Sequence, residues 1–151
     1  MIVSDSTTLI ILFDLDKLNI LSNIFKKVYI PSSVYKEIIF KGEVKLPSFM
    51  EVTKVEQSEL LDSLNNILDI GESEAIALAK EKNLALIIDE KKGRKIAKNM
   101  NIKIIGLLGL LYLNAKKGFM SKEEVVKFLD LALLNNYRIS QKLINEMLGT
   151  L

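Results

Sequence analysis

Short apolar runs alternate along the chain with longer segments in which apolar positions recur every three or four residues. Short runs bounded by turn residues are typical of buried strands, and the longer spacing is typical of helices that bury one face. The pattern predicts strands in MIVSD, KVYIP, EVTKVE, LALIID and IKIIG, with helices between them and two or three more over residues 107–151. This order predicts one α/β domain over residues 1–151, with a mostly parallel five-stranded sheet and helices on both faces.

The segment TLIILFDLDKLNI, residues 8–20, places an Asp-x-Asp pair after an apolar run. In phosphatases of the haloacid-dehalogenase type such a pair ends a strand, where it binds a metal and attacks a phosphoryl group. Here the apolar positions continue past Asp14 with helical spacing. The pattern therefore favours one helix over about residues 7–23, with Asp14 and Asp16 as solvated acids on it.

The chain of 151 residues contains neither cysteine nor histidine. Thiol nucleophiles, zinc sites built from these residues and histidine general bases are thereby excluded, which leaves carboxylate or metal chemistry. The longest apolar run, residues 104–113, is about half the length of a membrane span. We expect a cytoplasmic protein without a membrane segment. The net charge of +2 permits a local acidic surface beside a local basic one.

Four acids are candidates for a shared site. Asp5 ends the first predicted strand and Asp89 ends the strand LALIID. In an open parallel sheet the ligand crevice lies outside the carboxyl ends of the strands, where the strand order reverses. Glu37, in the helix after the second strand, and Glu72, in the helix opened by Gly71, could point into this crevice. Converging carboxylates repel one another unless cations neutralise them, and oxygen ligands suit Mg²⁺ or Mn²⁺.

Each acid also has a purely structural explanation. Glu37 could be an ordinary solvent-facing helix residue, and Glu72 could only complement the positive end of a helix dipole. Asp5 and Asp89 are harder to explain in this way, because an ionisable group against a buried strand costs free energy unless it is paired or bound. The pattern alone leaves both explanations open.

The chain resembles PIN-domain nucleases, in particular the short prokaryotic PIN proteins related to VapC toxins. The resemblance rests on IVSDSTTLIILFDLDKLNIL, VYIPSSVYKEI, GESEAIALAKEKNLALIIDEKKGRKIAKNMNIKIIGLLGLL and the helical tail GFMSKEEVVKFLDLALLNNYRIS. It implies a PIN-like three-layer fold with strand order 3-2-1-4-5 and metal-dependent ribonuclease activity. Hydrolysis by water would leave 5′-phosphate and 3′-hydroxyl ends, whereas a transesterifying ribonuclease would leave a cyclic phosphate.

The resemblance also implies which residues form the site. Its acidic positions would ligate Mg²⁺ or Mn²⁺ and act in catalysis, and the matching residues here are Asp5, Glu37, Glu72 and Asp89. Glu74 is the alternative at the third position and Glu90 at the fourth. Ser6 matches a hydroxyl residue beside the first acid, which would bind a ligand or cap the first helix.

Two departures from the family pattern bear on activity. Leu107 stands where close relatives usually have a small hydroxyl residue, so a hydrogen bond that supports the site would be missing. The third acid, Glu72, is one methylene longer than the aspartate of many PIN nucleases. Both departures lead us to expect weak or narrow activity.

A basic stripe is predicted on the helix after the strand LALIID. Lysines at this spacing share one helix face, where they would contact RNA phosphates or simply face solvent. A phosphodiesterase needs a basic rim beside its acids, so we expect RNA contact. The stripe consists of Lys91, Lys95 and Lys98, with Lys92 and Arg94 alongside.

Partners and alternative functions follow from the same patterns. The apolar helices EVVKFLDLALL and LINEML predict a homodimer, and the resemblance adds a possible small antitoxin that inserts a segment into the acidic crevice. One alternative is a nucleic-acid-binding or interaction module without turnover. The other is a receiver-like phosphoacceptor, which needs an aspartate at the end of a middle strand and a lysine after the last strand. It is disfavoured because IPSS, which ends the second strand, contains no acid and IKIIGLL lacks that lysine.

Overall fold

The structure is a computed structural model that describes residues 1–151. Five parallel strands form one sheet in the order β3-β2-β1-β4-β5, which confirms the predicted topology and differs from the 2-1-3-4-5 order of receiver-like folds. The strands are β1 (Ile2–Ser4), β2 (Val28–Pro31), β3 (Met50–Thr53), β4 (Ala85–Ile87) and β5 (Ile104–Ile105). The helices are α1 (Ser6–Asp14), α2 (Asn19–Ser22), α3 (Ser32–Phe40), α4 (Glu59–Asn65), α5 (Ile70–Lys82), α6 (Lys91–Asn99), α7 (Leu107–Lys116), α8 (Lys122–Leu134) and α9 (Gln141–Gly149).

An apolar layer lies on each face of the sheet. Ile2 and Val3 of β1 belong to opposite layers, because successive side chains of a strand point to opposite faces. One layer is formed with α1, α2, α3, α7, α8 and α9, and the other with α4, α5 and α6. The three-layer arrangement predicted from the alternation of strands and helices is therefore confirmed.

The single helix predicted over residues 7–23 is wrong. Helix α1 ends at Asp14, and Asp16 adopts the left-handed conformation with φ of 54°. The N–H of Lys17 donates to the carbonyl of Leu12 over 2.8 Å, which is the bond of a Schellman helix end. Apolar spacing continues through the break because Leu12 and Ile20 pack into the same layer.

The Asp-x-Asp pair has no role at a strand end. Asp14 is the last residue of α1, and its carboxylate accepts a hydrogen bond of 2.7 Å from the hydroxyl group of Tyr137. Asp16 lies in the turn before α2. The phosphatase arrangement is therefore excluded, because neither acid follows a buried strand.

Helix α3 begins at Ser32, and neither Ser32 nor Ser33 caps it. Pro31 occupies the N-cap position and makes no side-chain capping bond. Ser33 instead donates from its hydroxyl group to the carboxylate of Glu74 over 2.6 Å, which ties α3 to α5. Among the helices, none combines the length and apolar character that crossing a bilayer requires.

Candidate active site

The carboxyl ends of β1 and β4 lie side by side, where the strand order reverses. Ser4 is paired with Ile87, and the N–H of Asp5 donates to the carbonyl of Ile87 over 2.9 Å. Asp5 follows β1 directly, and Asp89 comes two residues after β4. The pairing of the two strands therefore brings these two acids to the same edge of the sheet.

Asp5 is the most buried acid of this edge, with 4% of its surface exposed. Its Oδ1 atom is buried and has no hydrogen-bond partner, and its side chain does not cap α1. Burial raises the pKa of Asp5 to about 7; the negative charges of Glu37, Asp69 and Asp89 add to this, and the N–H of Ser6 opposes it. Asp5 thus offers a desolvated carboxylate oxygen with free lone pairs.

Glu72 forms a second buried acid at the start of α5. Burial raises the pKa of its carboxyl group above the usual range, and so do a side-chain hydrogen bond with Asp69 and the charges of Asp69, Asp5 and Glu90. Asp69 also caps α5, because its Oδ1 atom accepts the N–H of Glu72 over 2.8 Å. Asp69 was not predicted as a site residue, although an aspartate three residues before Glu72 has the spacing of an N-cap.

The side chain of Glu37, which belongs to α3, lies between α1 and α5. Its Oε2 atom accepts a hydrogen bond of 2.7 Å from the hydroxyl group of Ser6, and its Oε1 atom packs against Gly71. A methyl group at Gly71 would overlap this oxygen. Ser6 therefore orients Glu37 and caps no helix, and the absence of a side chain at Gly71 leaves the carboxylate its place.

Asp89 is held by two groups from other elements. The hydroxyl group of Thr8 donates to its Oδ2 atom, and the backbone N–H of Leu107 donates to both oxygens over 3.2 Å. Leu107 thus supports Asp89 from its backbone. Thr8 was missed, because the helical pattern of α1 does not reveal which of its polar side chains reaches Asp89.

The two alternative acids have other partners. Glu90 caps α6, since its Oε2 atom accepts the N–H of Gly93 over 2.8 Å. Glu74 is bonded to Ser33, as described above. These contacts leave Asp89 and Glu72 as the preferred candidates, and the catalytic role of all four acids stays a prediction.

A model of the PIN-domain family matches residues 1–151 of the chain. The chain belongs to the PIN-domain family. PIN domains are generally metal-dependent nucleases, and the parallel sheet in the order 3-2-1-4-5 is the fold of this family. The predicted resemblance to PIN domains is therefore confirmed. Among curated proteins, none matches the chain significantly.

The acids of this PIN domain provide the donor type that hard divalent cations prefer, namely carboxylate oxygens. Asp5 has an oxygen free to coordinate, whereas Glu37 and Asp89 are turned towards their own hydrogen-bond donors. No three acidic side chains are close enough together to ligate one ion as they stand. To bind one ion together with Asp5, the neighbouring carboxylate groups would therefore have to rotate towards it.

A groove of about 790 Å³ begins at Asp89 and runs along α6 of the PIN domain. Arg94 lines it but also donates from Nη1 to the carbonyl of Ile88 over 2.6 Å, so this side chain is fixed. Lys92 is exposed and does not line the groove. The exposed basic residues that line it are Lys91, Lys95 and Lys98.

Proposed function

We propose that this PIN domain is a metal-dependent endoribonuclease that hydrolyses RNA phosphodiester bonds. The observation that carries the proposal is the buried, unpartnered Oδ1 atom of Asp5 among other acids at the reversal point of the sheet. A carboxylate in this position costs free energy, and a bound divalent cation would offset that cost. The basic groove that begins at Asp89 supports a polyanionic substrate.

The residues that would hold one or two Mg²⁺ or Mn²⁺ ions are Asp5, Glu37, Glu72 and Asp89, and Asp69 adds a further carboxylate beside Glu72. The chemistry that such an ion supplies when bound is activation of water for in-line attack and neutralisation of charge on the phosphate.

The chain's own residues orient these acids. The backbone N–H of Asp5 is bonded to Ile87, Ser6 directs Glu37, and the hydroxyl group of Thr8 directs Asp89. Lysines of the α6 groove would bind the phosphates of the strand next to the cleaved bond, so the RNA backbone lies across the acids.

We further propose that the protein acts in the cytoplasm as a VapC-like toxin whose small antitoxin inserts a segment into the acidic crevice. We also propose a homodimer. Helix α8 buries Phe128 and Leu129 but leaves Leu131 and Leu134 exposed, the latter to 78%. Exposed apolar side chains one helical turn apart form a surface that a second copy could cover.

A catalytically weak or inactive nucleic-acid-binding module is the second candidate. The observation that favours it is that no three acids are positioned to ligate one ion. Under this alternative, the acidic crevice and the α6 groove would serve recognition alone.

A nuclease assay with Mn²⁺ on structured and unstructured RNA separates the two candidates. A nuclease gives fragments with 5′-phosphate and 3′-hydroxyl ends, and it loses activity in EDTA and in the folded Asp5→Asn variant. RNA binding without any Mn²⁺-dependent cleavage would establish the binding module.

A further inference from the structure

Phe40, at the end of α3, is an aromatic residue with 91% of its surface exposed. Helix α3 buries Val34 and Ile38 in the core, so Phe40 contributes little to holding the helix in place. It lines instead a cavity of about 540 Å³ together with Ile10 and Ile70. Ile70 is itself 58% exposed, so the two side chains give the cavity an accessible apolar wall.

This cavity begins at the candidate active site. Glu37 lines it, just as Asp89 lines the groove along α6. Glu37 follows β2 and Asp89 follows β4, and these strands flank β1 on opposite sides. The acids around Asp5 therefore lie between two recesses, so a strand that occupies the α6 groove and crosses the acids would reach the Phe40 cavity next.

Two lysines and two glutamates line the cavity, and the two lysines are the exposed charges. Lys36 and Lys41 are exposed and line it, and Lys36 also lines a neighbouring recess with Lys54. Glu74, which also lines the cavity, is bonded to Ser33. An exposed aromatic ring with lysines nearby is the combination that binds single-stranded nucleic acids, because the ring stacks on a base and the lysines bind phosphates.

We propose that the cavity binds one base of the RNA, stacked on Phe40, on the side of the cleaved phosphate opposite the α6 groove. Lys36 and Lys41 bind the phosphates of this segment. The inference rests on the proposed ribonuclease function and adds to it a base subsite outside the acids. Stacking tolerates every base, so this subsite contributes affinity and fixes the position of the strand.

The test measures binding of short, unstructured, fluorescently labelled oligoribonucleotides by anisotropy, with Ca²⁺ in place of Mn²⁺. Phe40→Ala should weaken binding roughly 5- to 150-fold, the range that loss of one stacked base gives, whereas Phe40→Trp should retain affinity. Phe119→Ala is the matched control, because Phe119 is 50% exposed and lines neither recess.

Strands with one abasic position identify the contact. At one position along the strand, removal of the base should weaken binding by the parent protein and abolish the difference between parent and Phe40→Ala. At the other positions the difference should persist. The melting temperature of Phe40→Ala should match that of the parent, because the side chain of Phe40 is almost fully exposed.

Three outcomes would overturn the inference. Phe40→Ala could bind RNA as tightly as Phe119→Ala does. Its loss of affinity relative to the parent could also persist on every abasic strand. The third is a Phe40→Ala variant that turns a dimer into a monomer in light scattering without any change in RNA affinity, which would make Phe40 a contact between copies. If the parent cleaves RNA and Phe40→Ala binds normally, only the base subsite is refuted. If the parent neither binds nor cleaves RNA, the proposed function fails as well.

Discussion

The backbone N–H of Leu107 donates hydrogen bonds of 3.2 Å to both carboxylate oxygens of Asp89. The side chain of Leu107 is buried in the core and takes no part in this contact. A hydroxyl group at position 107 is therefore not needed to hold Asp89. The side-chain donor to this carboxylate is Thr8 of α1.

Thr8→Val should lower RNA cleavage roughly 10- to 100-fold while the protein stays folded, because it removes a hydroxyl group that orients an acid. Thr8 is buried, and in valine a methyl group takes the place of the hydroxyl group, so the side chain keeps its shape in the packed site. Initial rates at saturating Mn²⁺ measure the effect. Thr7→Val is the control, since Thr7 is exposed in the same helical turn. Equal activity of the two variants would show that the Thr8 contact has no role in the reaction.

Asp5→Asn should leave the melting temperature of the metal-free protein unchanged or raise it, because one charge leaves a cluster of mutually repelling acids. The rise in melting temperature caused by Mn²⁺ in the parent should shrink or vanish in the variant, and cleavage should fall to background. Asp130→Asn, an exposed acid of α8, is the control and should respond to Mn²⁺ as the parent does. A destabilised Asp5→Asn variant with a full response to Mn²⁺ would instead make Asp5 a structural acid.

The metal-free protein should lose stability as the pH rises between the ordinary pKa of Asp5 and its pKa in the folded protein. Its pKa is about 7 in the folded protein against an ordinary 3.8, so between these values the folded state binds more protons than the unfolded chain. Stability therefore falls as the pH rises, and the raised pKa of Glu72 acts in the same direction. Urea denaturation in EDTA at about pH 5 and about pH 8 should differ by on the order of a few kcal/mol.

Two further measurements check the origin of this dependence. In Asp5→Asn the difference between the two pH values should be smaller. Mn²⁺ should reverse the trend in the parent, since metal binding needs deprotonated carboxylates and strengthens as the pH rises. Greater stability of the metal-free parent at the higher pH would contradict the expectation.

Gly71→Ala should lower cleavage roughly 10- to 100-fold without loss of stability. A methyl group there overlaps Oε1 of Glu37, whose flexible side chain must leave its bond with Ser6, while alanine suits the first turn of α5 at least as well as glycine does. Gly149→Ala, in α9 with open space around it, should gain stability with unchanged cleavage. Thermal melts and cleavage rates of both variants decide the matter.

Replacing Lys91, Lys95 and Lys98 together by glutamate should weaken RNA binding and flatten its salt dependence. Each phosphate contact to a single strand contributes about 0.7 to the slope of log K against log salt, so the slope should fall by about two. Lys92→Glu reverses a charge on the same helix outside the groove and should have a much smaller effect. If the triple variant kept the parent's slope, the stripe would be an ordinary solvated face.

Much of the fold could be predicted from the sequence because the periodicity of apolar residues reports burial directly. The periodicity did not reveal the break after α1, because the apolar residues before and after the break face the same layer and keep a helical spacing. Within the site, Asp5 and Asp89 were recognisable at strand ends. Asp69 could have been recognised from its N-cap spacing to Glu72, whereas Thr8 could not, because a helix hydroxyl shows its partner only when distant segments have packed together.

The first turn of α1 links the two sides of the crevice. Asp5 precedes it, Ser6 reaches Glu37 on one side, and Thr8 reaches Asp89 on the other. A residue inserted between Asp5 and Thr8 would rotate the following helix by about 100° and turn that hydroxyl group away from its acid. The spacing of these residues therefore fixes how far apart Glu37 and Asp89 are held. An insertion or deletion here is more disruptive than a substitution.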